Sequence, residues 1–289
     1  MLWLQLAITG LQVGALYALT AAGFSLIFGS TRIFHFAHGT TFVLAAYTFA
    51  STNAAGVPLA VSIGASSLVA VAFGVFMDRL IYAPIQRHEG SFFTVFVASF
   101  GIAIAVQNLV GMVFGRSYVT VTTELSRSVE VMDGVFVSPL AWIAIACAVA
   151  FFVALQLILH RTHIGMGLRA LADNPELIRV FGLSPRAIST AAFALGSLLV
   201  VPAAIITSAT SGLNPALGHH VMLISLAATI VGGIGSVSGA LVTGFGLGLA
   251  ENLALLYFES QWTEGVTFAI LFLFILVRPS GLFGRAGVH

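Results

Sequence analysis

Lysine is absent from the 289-residue sequence, and all eleven basic residues are arginine. A phosphate-binding P-loop places a lysine on the β- and γ-phosphates, so this chain offers no such nucleotide site of its own. Charge of either sign is scarce: 7% of residues are charged and 59% are apolar, where an ordinary soluble domain carries about a quarter charged residues. Too few charges remain to make a water-facing surface, which points to lipid as the outer solvent. The net charge of +1 then carries little information. Cysteine occurs once, at Cys147, which excludes a disulfide within the chain and leaves the redox compartment unread. HExxH, a GxSxG elbow and a pair of intramembrane carboxylates are all missing, so the known constellations of an intramembrane enzyme are not there. The apolar stretch Met1 to Phe28 has no basic residue before it and is too long for a signal-peptide core; it reads as a retained first span.

What is present is a series of apolar stretches near the twenty residues that a membrane helix needs. They cover about 3–29, 33–50, 57–77, 92–114, 137–159, 187–208, 219–234, 237–258 and 262–277, nine spans in a single transmembrane domain over 1–289. The fold class is therefore an all-α polytopic membrane protein with eight or nine spans, some short or broken. The glycine-rich Val231 to Gly239 is either a tight turn or a broken helix. Arginine placement sets orientation, because short cytoplasmic loops are enriched in it. Arg32, Arg79, Arg87, Arg161, Arg169, Arg179, Arg186, Arg278 and Arg285 fall on one side of nine alternating spans, and Arg116 and Arg127 on the other. The expected N-terminus is outside and the C-terminus cytoplasmic, with parity broken if a short span is re-entrant.

The longest cytoplasmic loop, 160–186, contains a short capped helix. Asn174 is suited to the N-cap, Pro175 to the first helical position and Glu176 to the positive end of the dipole. Gly182 closes the helix and Pro185 stops it. Leu177, Ile178 and Phe181 share one side of its two turns, too short a helix to be stable alone. Two readings stand: this face packs on the chain's own spans, or it docks in the groove of a cytoplasmic partner.

Several stretches resemble a known family. Ser30-Thr-Arg-Ile-Phe-His-Phe-Ala-His-Gly39 followed by Leu44-Ala-Ala-Tyr47, the loop Gly165 to Gly182, Gly232-Gly-Ile-Gly-Ser236 and Arg278-Pro-Ser-Gly-Leu-Phe283 occur in the order of the LivH-type permeases of branched-chain amino acid importers of the ATP-binding-cassette class. His35 stands where that family usually has Asn, and Ala45 where it often has Gly. The resemblance implies a permease in the inner membrane that is not itself an enzyme. Its partners would be a LivM-like second permease, two LivG/LivF-like cytoplasmic ATPases carrying ATP and Mg, and an extracytoplasmic solute-binding protein. It implies that Asp173 to Gly182 is the coupling helix. The cargo would be branched-chain amino acids, with urea, short amides and aromatic or other organic acids as the family's alternatives.

The remaining polar residues admit more than one role. Glu251 is the formal charge well inside an expected span; it belongs on the solute path or is a hydrogen-bonded structural group with Asn252, Gln107 or Asn108 as partner. His35 and His38 can share a helical face, lack an evident third metal ligand, and with Phe34 and Gly39 shape packing or a constriction. His219 and His220 are expected at the outer edge after the Asn214-Pro215 turn, as solvated loop residues or in contact with a binding protein. The pairs Gly10/Gly14, Gly111/Gly115, Gly235/Gly239 and Gly244/Gly248 have the spacing of close helix packing. An ion-coupled transporter with a broken helix at Gly232, Gly233 and beyond is a rival, as is a structural membrane subunit, but no internal repeat supports the former.

Overall fold

The computed structural model describes residues 2–88, 90–132, 134–174, 178, 179 and 182–284. Pro175, Glu176, Leu177 and Phe181 of the expected coupling helix, and Arg285, lie outside the described residues. The elements are helices α1 (Leu2–Thr31), α2 (His38–Ala54), α3 (Leu59–Phe76), α4 (Ala83–Arg87), α5 (Phe92–Phe114), α6 (Pro139–Arg161), α7 (His163–Asp173), α8 (Pro185–Thr210), α9 (Leu217–Gly232), α10 (Val237–Ala254) and α11 (Thr263–Val277), with strands β1 (Val129–Met132) and β2 (Val135–Val137). A π-helical turn, Met77–Tyr82, joins α3 to α4. Among the described residues seven helical stretches are long and apolar enough to cross a membrane: α1, Leu59–Arg87, α5, α6, α8, α10 and Ser260–Val277.

Helix starts follow the sequence chemistry. Ser91, Ser138, Thr162, Ser184 and Ser236 each accept a backbone N–H of the following turn, and prolines open α6 and α8 where no donor is required. The central pair is α1 and α10. A Cβ placed on Gly14 would lie 2.7 Å from the Phe245 carbonyl oxygen, and one on Gly244 2.5 Å from the Ala18 Cα, so only small residues let these backbones meet. Gly10/Gly14 and Gly244/Gly248 thus form an intramolecular contact, whereas Gly111 has no atom nearer than 3.7 Å and Gly115 merely ends α5 at φ +80°.

The expected second and seventh spans are helices but not full crossings. α2 has 17 residues and α9 has 16, about 25 Å each against a hydrocarbon thickness of about 30 Å. The reason is where α2 starts. His38 Nε2 lies 3.0 Å from the Thr20 carbonyl, and Thr20 is 11 residues before the end of α1 at Thr31, about 16 Å along the helix axis. The chain therefore turns back at Arg32, whose φ is +58°, and runs 32–37 into the bundle before α2 begins. α9 begins beside it, with Gly218 packed on Gly39.

The two ends of the bundle differ. At one end β1 and β2 pair antiparallel, Val129 opposite Val137, and Gln5 at the start of α1 exchanges hydrogen bonds of 2.5 and 2.8 Å with the Phe136 backbone. At the other end lie α7, the α9–α10 turn and the segment after α11, where Leu282 and Phe283 N–H donate to the carbonyls of Val231 and Gly232. Arg116 and Arg127 belong to the hairpin end; Arg32, Arg79, Arg87, Arg161, Arg169, Arg179, Arg186 and Arg278 belong to the α7 end.

Candidate functional site

The re-entrant segment carries two fully buried imidazoles, His35 and His38. Because a carbonyl only accepts, His38 Nε2 carries the proton donated to Thr20. His35 Nδ1 is 2.8 Å from the Tyr82 hydroxyl, which donates to Ser99 Oγ at 2.7 Å, and Ser99 Oγ also accepts the Ala37 N–H at 2.9 Å. The linker is in this way tied to the π-helical turn and to α5. Phe34 packs edge-on against Phe24, Phe28, Phe92 and Phe96. Phe34, His35 and His38 are thus held against α1, α5 and the π-helical turn. No group of three metal-ligating side chains occurs among the described residues.

Beyond them the starts of α2 and α9 border a narrow cleft lined by Phe36, Thr40, Val43, Ala103, Gln107, Pro215, Gly218 and His219. Neither helix has a side-chain N-cap. Among the described residues, the N–H groups of Gly39 and Gly218, the Thr40 hydroxyl and the Gln107 amide make no hydrogen bond, although Thr40 is only 6% exposed. Gly218, Thr40 and Gln107 thus bring an unpaired N–H, a hydroxyl and an amide to a wall otherwise made of apolar groups and His219, at the depth where two helix dipoles present their positive ends. Asn108 is turned away, donating to the Ile104 carbonyl of its own helix.

The other side of the α9 start holds a polar chain. Glu251, 6% exposed, accepts from Tyr17 at 2.9 Å and from Thr267 through a short contact. His220 sits 3.4 Å from the Tyr17 hydroxyl and 3.1 Å from Glu264. The partners expected for Glu251 are not the ones it has: Asn252 donates to the Gly248 carbonyl, while Gln107 and Asn108 are on α5. His219 and His220 are likewise no loop residues; they occupy the first turn of α9, one on the cleft and the other on the Glu251 chain.

A second buried carboxylate escaped the sequence reading. Asp78, 5% exposed, accepts from Ser189 at 2.7 Å and Thr190 at 2.6 Å in α8. Gly232 and Gly233 are not near the cleft. They form the tight α9–α10 turn at the α7 end, with Gly233 at φ +102°, so the broken-helix alternative does not hold there.

In the expected coupling segment, Asp173 ends α7 and Asn174 is extended at φ −155°, ψ 108°, the backbone an N-cap needs. Gly182 is left-handed at φ +75°, and Leu183 N–H donates to the Ile178 carbonyl at 3.1 Å, a helix-ending bond. Ile178 is 1% exposed and belongs to the chain's own core.

A family model described as the branched-chain amino acid transport system permease component matches residues 6–276. The chain belongs to this permease family. The high-affinity branched-chain amino acid transport permease BraD of Pseudomonas aeruginosa is 29% identical over 99% of this permease and 97% of that protein. LivH of Escherichia coli, a permease of the same description, is 26% identical over 99% and 97%. Among solved structures, PsaBC from Streptococcus pneumoniae in complex with Fab aligns with 96% of this permease and 92% of that chain, at a TM-score of 0.56 and 11% identity, a likeness of fold. Of the permease residues that sequence reasoning missed, Tyr17, Tyr82, Ser99 and Thr267 are isolated polar residues in largely apolar runs, and Asp78 adjoins Arg79. A signal did exist for them: each would need a partner once buried.

Proposed function

We propose that this permease is one half of the membrane core of an ATP-binding-cassette importer that carries branched-chain amino acids inward. The carrying observation is the cleft at the starts of α2 and α9, in a chain similar over nearly its whole length to BraD and LivH. An amino acid with an apolar side chain suits its chemistry. The carboxylate is favoured by the free N–H of Gly218, which lines the cleft, and by the two helix dipoles. Thr40 and Gln107 give adaptable polar contacts, and Phe36, Val43, Ala103 and Pro215 receive the side chain. His35 departs from the family pattern but is buried against Tyr82 and does not line the cleft, so it gives no reason to favour urea or an aromatic acid.

The partners follow from the same reading: a LivM-like second permease, two LivG/LivF-like ATPases that hold ATP and Mg, and an external binding protein. A chain without lysine has no P-loop lysine to offer, which supports hydrolysis in a separate polypeptide. The α7 end, with its arginines, faces the cytoplasm, and the segment from Asp173 to Gly182 meets the ATPases; the β-hairpin end faces outward. ATP-driven closure of the ATPases moves α7 and its loop, and the bundle alternates access to the cleft. The test is ATP hydrolysis by the reconstituted importer with its binding protein. Stimulation by leucine, isoleucine or valine is expected; stimulation by urea or an aromatic acid alone would overturn the cargo assignment.

A further inference from the structure

A second cavity opens at the α7 end between α1, α6, α7 and the α9–α10 turn, and its lining has the chemistry of an anion site. Ser25 on α1 lines it, is fully buried, and has an Oγ without a hydrogen-bond partner among the described residues. A helix serine can ordinarily return its hydroxyl to the preceding turn, as Ser51, Ser66 and Ser225 do here. Arg169 on α7 lines the same cavity, and no carboxylate pairs with it among the described residues. Gly235 and Val237 bring the N-terminus of the 18-residue α10, whose first N–H groups at Val237 and Ser238 have no backbone acceptor. A cation, a helix N-terminus and a buried hydroxyl from three different elements converge on one space.

We infer that this cavity binds a phosphate group, either free in solution or on the headgroup of an anionic lipid, with Arg169 and the α10 N-terminus supplying the charge and Ser25 a hydrogen bond. Its walls come from α7 on one side and α1 and the α9–α10 turn on the other, so an occupant ties α7 to the bundle. The site does not depend on the transport assignment, since binding is read on the permease alone.

The experiment is thermal unfolding of the purified full-length permease in neutral detergent, with inorganic phosphate, short-chain phosphatidylglycerol or short-chain phosphatidylcholine added at constant ionic strength. A ligand that binds only the folded state raises the midpoint with its concentration. Wild type is expected to be stabilised by phosphatidylglycerol; stabilisation by inorganic phosphate as well marks a site open to free anions, and its absence marks a lipid headgroup site. Arg169→Gln and Ser25→Ala are each expected to weaken the response at least tenfold, while Arg161→Gln, outside the lining, leaves it unchanged. If Arg169→Gln does not fold, Ser25→Ala alone decides the matter. No stabilisation by either phosphate-bearing anion, or equal responses in all variants, would overturn the assignment.

Discussion

At Glu251 the two acceptor oxygens are each used once, by Tyr17 and by Thr267. Replacing the side chain by alanine leaves the buried Thr267 hydroxyl without an acceptor, at about 1–3 kcal/mol, and takes the carboxylate partner from Tyr17. Glu251→Ala is therefore expected to lower the unfolding midpoint markedly, and Tyr17→Phe, which leaves Oε2 of Glu251 without its donor, to lower it as well; a thermal scan in detergent measures both. At Ser99 the same logic applies to a backbone group. Ser99→Ala strands the Ala37 N–H in the core and leaves the Tyr82 hydroxyl with His35 alone, so a loss of about 1–3 kcal/mol is expected from denaturant titration. Neither network was legible beforehand, because a lone serine or tyrosine in an apolar run announces a need for a partner without naming it. Glu251 was recognisable as a buried carboxylate; its true partners are 234 and 16 residues away in sequence.

Elements were read more easily than their depth. The stretch expected over 92–114 is α5, Phe92–Phe114, and those expected over 137–159 and 187–208 are α6 and α8 shifted or extended by about two residues. Apolar length, however, reports how much helix exists and says nothing of where it starts. The turn-back at Arg32 and the internal starts of α2 and α9 came only with the packing of His38 on Thr20 and Gly39 on Gly218. Hydropathy also cut the third span at its first acidic residue, Asp78, although Ser189 and Thr190 satisfy that carboxylate and the helical run reaches Arg87. Glycine spacing was informative only where a partner helix has matching small residues. Gly14→Ala is thus expected to destabilise the protein by about 1–3 kcal/mol through the clash with Phe245, while Gly111→Ala, with open space around it, stays near the wild-type midpoint.

For the molecule as a whole, the asymmetry of its ends carries the directional reading. With Cys147 replaced by alanine, a cysteine at Gly134 in the hairpin end is expected to react with an impermeant maleimide in intact cells, and one at His163 at the start of α7 only after lysis. The reverse labelling pattern would invert the orientation. The cleft between the α2 and α9 starts is the feature on which the transport assignment rests, and Thr40 and Gln107 are polar contributors to it that make no hydrogen bond elsewhere among the described residues. Charge-assisted hydrogen bonds are worth about 1.5–3 kcal/mol, or roughly tenfold and more in rate or affinity. The most direct measurement is ATP-driven leucine uptake by the complete importer in liposomes, comparing wild type with the Thr40→Val, Gln107→Ala double variant at equal assembly. Uptake reduced at least tenfold, with an unfolding midpoint near that of wild type, is the expected result; uptake at the wild-type rate would contradict a path through this cleft.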